Sequence, residues 1–392
     1  MSPYRVKGHL CIMYKTVNSI QQFDFQINRV LTYGEKACDE DQVISALANV
    51  KNIDEWYEAW LSLANNAINA NEHMHAAYYY RMAEFFLKHD DSRKEDVFRK
   101  CLNEFNLGFA QNDISFERFA IPYENGYMKC FRMEADNSKE TILVCGGYDS
   151  FIEEFVLQVN DFVKRGFSII LFEGPGQGEC IDQGIYFTDA FHKAASKVID
   201  FFDLKTCAFV GISWGGYFAL ESAANEARIN KVVAYDVLDN GLEVMTNVYP
   251  SPIKQIIRTL IKGKHEKAIN FLCSRIGKKS VIADWMLAQG MYITGSSTPY
   301  EMYQKLGKHN LNGQYQNIRQ DVLLLAGEKD HYVPRVQFER CRSSIHNAHT
   351  LTTRLFTESE GGHQHCQIGN HTIATTYIMS WIDSNIRTDS RQ

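Results

Sequence analysis

The feature that most constrains this chain is a series of short, almost unbroken apolar runs: "TILVCGG" (141–147), "FSIILFEG" (167–174), "CAFVGIS" (207–213), "KVVAYDV" (231–237), "VLLLAGE" (322–328) and "LTTRLFT" (351–357). A strand that is apolar on both faces is covered on both faces, which is the situation of a parallel sheet between two layers of helices. Helical patterns fill most of the gaps, over 151–165, 187–203, 215–227 and 372–386. This alternation predicts a doubly wound, mostly parallel α/β sheet with right-handed crossovers. Just ahead of it, "FERFAIPY" and "YMKCFRME" read as an antiparallel pair joined around Asn125-Gly126.

The first 112 or so residues contain no convincing strand. In 54–88, Trp56, Trp60, Leu63, Ala64 and Ala67 recur at helical spacing, followed by Tyr79, Met82, Phe85 and Phe86. The stripe Tyr78-Tyr79-Tyr80 reads as helix packing. A further helix is expected over 92–111, with Ser92 as its N-cap. The interval 238–318 is too long for one crossover and carries helical stretches such as "SPIKQIIRTLIKG", so it reads as a helical cap inserted late in the sheet. The expected division is an N-terminal helical domain (1–112), a first core part (113–237), the cap (238–318) and a second core part (319–392).

A net charge of −6 with no basic stripe argues against nucleic-acid binding. No apolar run approaches 18 residues, so no membrane partner is expected. Lys7, His9 and Lys15 interrupt the N-terminal apolar residues and leave no signal-peptide pattern. Ten cysteines without a C-x-x-C pair read as reduced thiols, which points to the cytoplasm.

The chemistry concentrates in "CAFVGISWGGYFALESAA" (207–224), where a strand runs into Gly211-Ile212-Ser213-Trp214-Gly215 and a helix follows at once. In a G-x-S-x-G elbow the serine occupies a tight strand-to-helix turn, and the glycines avoid collisions across it. Chance supplies about 0.09 such pentapeptides in a chain of this composition, before the strand–helix context is counted. Ser213 is therefore the expected nucleophile. A serine hydroxyl needs a histidine base, itself oriented by a carboxylate, here in the chain order Ser, acid, His. "VLLLAGEKDHYVP" (322–334) supplies Asp330 in the loop beyond a strand, with Glu328 as the runner-up. The last strand leads to "EGGHQHCQIGN" (360–370), where topology admits either His363 or His365. Gly361 and Gly362 make a poor platform for a base at His363, which favours His365. For the oxyanion, one donor is the backbone N–H of Trp214, and the second is expected from "CGGYDSFIEEF", with Tyr148 preferred and Gly147 as the alternative. That loop has neither a P-loop lysine nor G-x-G-x-x-G spacing, so a phosphate cradle is not expected.

Taken together, "GGYDSFIEE" (146–154), "FEGPGQGE" (172–179), "GISWGG" (211–216), "AGEKDHYVP" (326–334), "HCQIGN" (365–370) and the helical "AAYYYRMAEFF" resemble one family along almost the whole chain. It is the α/β-hydrolase family of 2,6-dihydroxypseudooxynicotine hydrolase and of the fungal pigment-pathway hydrolases that shorten polyketide chains. The resemblance implies an α/β-hydrolase fold with Ser213 as nucleophile, Asp330 as acid and His365, the histidine of the His-Cys-Gln run, as base. It also implies that Asp149, the acidic residue of a G-G-x-[DE]-S loop, bears on C–C cleavage, and that the chain pairs as a homodimer through its N-terminal helices.

The expected activity is hydrolysis of a small acyl or β-dicarbonyl substrate, aromatic or polyketide-like, with no cofactor and no metal. A carboxylesterase or acyl-peptide hydrolase would use the same triad. A non-catalytic ligand-binding protein on this scaffold is disfavoured by the intact Ser213, Asp330 and His365. A metal centre on His363, His365 and Cys366 is disfavoured because no distant ligand pair has zinc spacing. On this reading His363 is a solvated loop residue and Cys366 a small buried hydrophobe.

Overall fold

The computed structural model describes residues 14–384. Lys7, His9, Cys11 and the expected end of the last helix at 385–386 lie outside the described residues. Eight strands make one sheet: β1 (Glu117–Tyr123), β2 (Gly126–Met133), β3 (Thr141–Cys145), β4 (Ser168–Phe172), β5 (Cys207–Ile212), β6 (Ile229–Tyr235), β7 (Asp321–Gly327) and β8 (Thr350–Phe356). The order is β1-β2-β4-β3-β5-β6-β7-β8. β2 runs antiparallel to β1 and β4, and the strands from β4 through β8 are parallel. The chain leaves β3 towards one edge and returns at β5 to build towards the other, so the loops after β3 and β5 diverge over a crevice at the carboxyl ends of these strands.

Strand period places alternate residues on opposite faces. Ile142, Val144, Val210 and Leu325 join one core with the N-terminal helices and the closing helix His371–Ser384. Leu143, Phe172, Phe209 and Leu324 join the other, with the helices His192–Phe201 and Gly215–Asn225 and much of the segment between β6 and β7. Both faces are thus filled by the same apolar runs, which is why those runs lack a polar alternation.

Five helices precede the sheet: Gln21–Thr32, Glu40–Leu47, Ile53–Asn69, His73–Phe85 and Lys94–Gln111. The run 54–88 is two helices, broken at Asn71, whose φ is +59°. Tyr78, Tyr79 and Tyr80 are all buried in the core. Ser92 is not an N-cap. The helix starts at Lys94 after Arg93, whose position makes no side-chain cap, and the turn is closed by Asp91, which accepts from the Arg93 N–H at 3.0 Å. The hairpin turn is also one residue earlier than expected: Glu124 and Asn125 form it, with Glu124 at φ +49°, while Gly126 pairs with Tyr123 in the ladder.

Between β6 and β7 lie the helices Gly241–Asn247, Ser251–Lys262, Glu266–Gly277, Val281–Thr294 and Pro299–Leu306. The N-terminal layer reaches them directly, with Phe85 stacked on Trp285 at 5.2 Å between ring centroids and Lys88 paired with Asp284. Among the described residues no helix is long and apolar enough to cross a membrane. The nine described cysteines are all free, eight buried and Cys366 half-buried.

Candidate active site

Ser213 follows β5 directly and precedes the helix Gly215–Asn225. Its φ is +62°, a left-handed conformation that costs a non-glycine residue energy and persists only where the surroundings impose it. They do so here, because a Cβ on Gly211 would stand 1.8 Å from the Gly215 carbonyl oxygen. The Ser213 N–H is tied to the Tyr235 carbonyl at 2.5 Å. The elbow is therefore fixed from both sides, and its serine lines the cavity described below.

Ser213 Oγ lies 2.7 Å from His365 Nε2, and His365 Nδ1 lies 2.7 Å from Asp330 Oδ2. The other Asp330 oxygen accepts from the backbone N–H groups of Tyr332 and Val333, at 2.8 and 2.9 Å. Burial alone would raise the Asp330 pKa, but His365 and these hydrogen bonds hold it below the ordinary carboxylate range. Burial likewise works against a charged His365, yet Asp330 outweighs it and the imidazole pKa is raised well above the ordinary value. A histidine so placed can take the serine proton and keep it. Glu328 points elsewhere, its Oε1 accepting from the Glu358 N–H.

His363 is not at this site. It does not line the cavity, and it is buried rather than solvated, with Tyr14 edge-on at 6.0 Å. The close approach of the chain explains this, since a Cβ on Gly327 would meet the His363 carbonyl oxygen at 2.4 Å and the Lys329 N–H donates to the same oxygen. The loop is a packed strut, not an open one. Cys366 also departs from expectation. It is only half-buried, has φ +49° and lines the cavity. Among the described residues the possible ligand group is Asp236, His365 and Cys366, without His363, and both ring nitrogens of His365 are already committed to Ser213 and Asp330.

The loop that carries Tyr148 meets the elbow that carries Trp214 through a glycine contact. A Cβ on Gly147 would lie 2.7 Å from the Trp214 nitrogen, so the loop after β3 presses on the elbow. The Gly147 N–H is consumed by Ser150 Oγ at 2.7 Å, which leaves Tyr148 and not Gly147 with a free backbone donor. Neither the Tyr148 nor the Trp214 N–H donates to a protein acceptor among the described residues. Gln177 buttresses the loop by donating to the carbonyls of Gly146 and Gly147, at 2.7 and 3.1 Å. Glu173 below it accepts from the N–H groups of Ile152 and Glu179, and burial pushes its pKa up to about 7. The "FEGPGQGE" segment thus supports the loop after β3, a role that its residue types alone do not reveal. The Tyr148 ring stacks on Trp214 at 5.7 Å, and its hydroxyl donates to the Met286 carbonyl of the helix Val281–Thr294.

Ser213 opens on a cavity of about 530 Å³. The lining is mostly apolar, with Val244, Met245, Val248, Ile253 and Met286 from the segment between β6 and β7 and Phe25, Phe85 and Phe86 from the N-terminal helices and their ends. Polar groups enter it from the helix Gln21–Thr32, through Gln22, Gln26 and Arg29, and from Asp149 and Tyr332. Tyr332 donates to Gln22 Oε1 at 2.9 Å. Arg29 Nη2 pairs with the buried Glu154 at 2.6 Å, while Nη1 is 3.5 Å from Asp149 Oδ2. No sequence motif marked this helix. Its residues Phe23–Thr32 are all buried, with the stripe Phe23, Ile27, Val30 and Leu31 in the core and the polar face, which a surface helix would give to solvent, packed as well.

A mostly parallel sheet with a strained serine after β5, a histidine beyond β8 and a carboxylate beyond β7 defines an α/β-hydrolase. The chain is an enzyme of this class. No family model matches it. It is similar to the hydrolase acrC of Aspergillus aculeatus, 23% identical over 412 residues that cover 92% of this chain and 96% of that protein. It is equally similar to 20-hydroxy-prefusarin hydrolase FUS2 of Gibberella moniliformis, 23% identical with 92% and 96% covered. Among solved structures, 2,6-dihydroxy-pseudo-oxynicotine hydrolase superposes with a TM-score of 0.68 at 17% identity, covering 91% of this chain and 94% of that one. AbyA5 superposes at 0.67 with 16% identity, covering 93% and 95%. These superpositions establish the fold along nearly the whole chain.

Proposed function

We propose that the protein is a serine hydrolase that uses Ser213, His365 and Asp330 to cleave a small β-dicarbonyl substrate at a carbon–carbon bond. His365 Nε2 takes the proton from Ser213 Oγ as the oxygen attacks the carbonyl carbon. The oxyanion accepts hydrogen bonds from the Trp214 and Tyr148 N–H groups. When the intermediate collapses, the electrons of the C–C bond pass into the enolate of the second carbonyl, and the proton on His365 goes to its carbon. Water, deprotonated by His365, then releases the acid from Ser213.

The observation that carries the substrate reading is a guanidinium, Arg29, in the lining of a mostly apolar cavity. An acyl arm fits the apolar lining, while the oxygen of the leaving enolate needs a donor or cation, which Arg29 beside Asp149 supplies. A simple ester makes no such demand. Similarity to a prefusarin hydrolase and a pseudo-oxynicotine hydrolase supports hydrolysis of a small organic substrate.

The test compares aryl β-diketones with p-nitrophenyl esters on the wild type and on Ser213→Ala. Diketone turnover and fluorophosphonate labelling are expected in the wild type, and neither in a folded Ser213→Ala protein. Turnover that survives in Ser213→Ala would remove Ser213 from the mechanism. Ester turnover with no diketone turnover would make the enzyme a carboxylesterase.

A further inference from the structure

His365 faces two carboxylates, not one. Asp236, the residue after β6, is 1% exposed and places its Oδ2 3.4 Å from the same Nδ1 that Asp330 holds at 2.7 Å. Asp236 also grips the two residues that follow His365. Its Oδ2 accepts from the Cys366 N–H at 2.7 Å and its Oδ1 from Gln367 Nε2 at 2.9 Å. Tyr235, one residue back, donates its hydroxyl to the Cys366 carbonyl at 3.0 Å. Cys366 and Gln367 have φ of +49° and +50°, so this loop is strained and held in place by such contacts.

We propose that Asp236 is a second carboxylate for the base: it positions His365 in the wild type and accepts the Nδ1 proton directly when Asp330 is removed. The inference rests on the triad reading above. In the wild type only one of the two carboxylates is needed as an anion opposite one imidazole, and like charges at this distance oppose double ionisation. The groups facing Asp236 are Asp330, His365, Cys366 and Gln367. Burial, then the Asp330 charge, push the Asp236 pKa up to about 7, while Asp330 stays ionised. Gln367 Oε1 is buried with no donor among the described residues. Turning that amide over would let it accept a proton carried by Asp236. Without Asp330, Asp236 loses the charge that opposes its ionisation, and the Nδ1 contact has only to shorten from 3.4 Å to hydrogen-bond length.

The experiment is a double-mutant cycle on the full chain with Asp330→Ala and Asp236→Asn. Loss of the orienting carboxylate costs roughly 10⁴-fold in serine hydrolases without a substitute. Asp330→Ala is expected to cost only about 10²-fold. Asp236→Asn alone should lower kcat about tenfold with KM unchanged, and in the Asp330→Ala background it should cost at least ten times more than that. Proton NMR of Asp330→Ala gives a reading that needs no change at Asp236: a downfield His365 ring N–H signal should persist. Equal costs of Asp236→Asn in both backgrounds, or loss of that signal in Asp330→Ala, overturn the proposal while leaving the triad intact. Activity that survives Ser213→Ala overturns the triad and this proposal together.

Discussion

Gly147 and Trp214 touch so closely that a methyl group on the first would lie 2.7 Å from the backbone nitrogen of the second, and 3.0 Å from Ser213 Cβ. The loop after β3 and the elbow after β5 thus meet where the sheet order diverges, and the missing side chain is what lets them approach this closely. The sheet supplies the two loops, and a single glycine sets their separation.

Gly147→Ala should therefore act as an oxyanion-hole variant although it removes no donor. Loss of one donor typically costs about 10²- to 10³-fold in kcat, and a loop pushed off Trp214 should cost a similar amount. Steady-state kinetics on a variant shown to be folded by circular dichroism provides the check. An unchanged kcat would mean that the oxyanion is held elsewhere.

His365→Ala should lower kcat/KM by about 10³-fold or more, and His363→Ala by less than about tenfold. Because His363 is buried and not solvated, its replacement should instead show in stability, as a fall of roughly a few degrees in the unfolding midpoint. If the two variants exchange severity, the base has been misassigned.

The strands and the elbow were legible because their signals are local: apolar runs for the parallel sheet, and glycines two before and two after Ser213. Asp330 and His365 followed from strand order and resemblance. What escaped was set by packing over long sequence distances. Asp236 follows an ordinary apolar strand, yet meets a loop 130 residues later. Gln177 lies within the 172–179 run, where nothing local shows that its amide reaches the carbonyls of a loop 30 residues earlier. The helix Gln21–Thr32 carries the apolar stripe Phe23, Ile27, Val30 and Leu31 of any one-sided helix, and only its seat against Tyr332 and Asp149 shows why Gln22, Gln26 and Arg29 are there. Ser92 failed as a cap because Asp91 was already closing the turn.

The pH dependence follows from the sign of the His365 shift. Its pKa in the folded enzyme is raised above the ordinary value near 6.5, and the base must be neutral to accept the serine proton. kcat/KM should thus fall as pH decreases through a value above 6.5. Replacing both facing carboxylates, in Asp330→Asn/Asp236→Asn, removes the charges that can raise it, so the limb should move to lower pH. A limb that stays in place in that double variant would mean that another group controls it.

Glu154 is fully buried and receives Arg29 at 2.6 Å and Arg81 at 3.4 Å. Removing it leaves two buried guanidinium groups short of a counter-charge, which costs about 3–5 kcal/mol for a broken buried pair. Glu154→Ala should lower the urea midpoint accordingly, and a change below about 1 kcal/mol would mean that Asp149 and Glu84 absorb the loss.

The pair Arg29 and Asp149 separates C–C cleavage from ester hydrolysis. A p-nitrophenolate leaves without help, whereas an enolate carries its charge on an oxygen that must be met inside the cavity. Arg29 Nη1 is the nitrogen of that guanidinium with only long contacts, 3.4 Å to Gln26 and 3.5 Å to Asp149, so it can turn to a substrate oxygen while Nη2 stays on Glu154. Asp149 orients it and is itself fixed at its carbonyl by Arg81 at 2.5 Å. Asp149→Asn should lower diketone turnover about tenfold with a smaller effect on p-nitrophenyl acetate, the size of one lost charge-assisted contact. Arg29→Lys keeps the charge but not the planar fork, and should show the same bias. Equal losses on both substrates would reduce the pair to a structural tie between the N-terminal helix and the oxyanion loop, and the case for a β-dicarbonyl substrate would go with it.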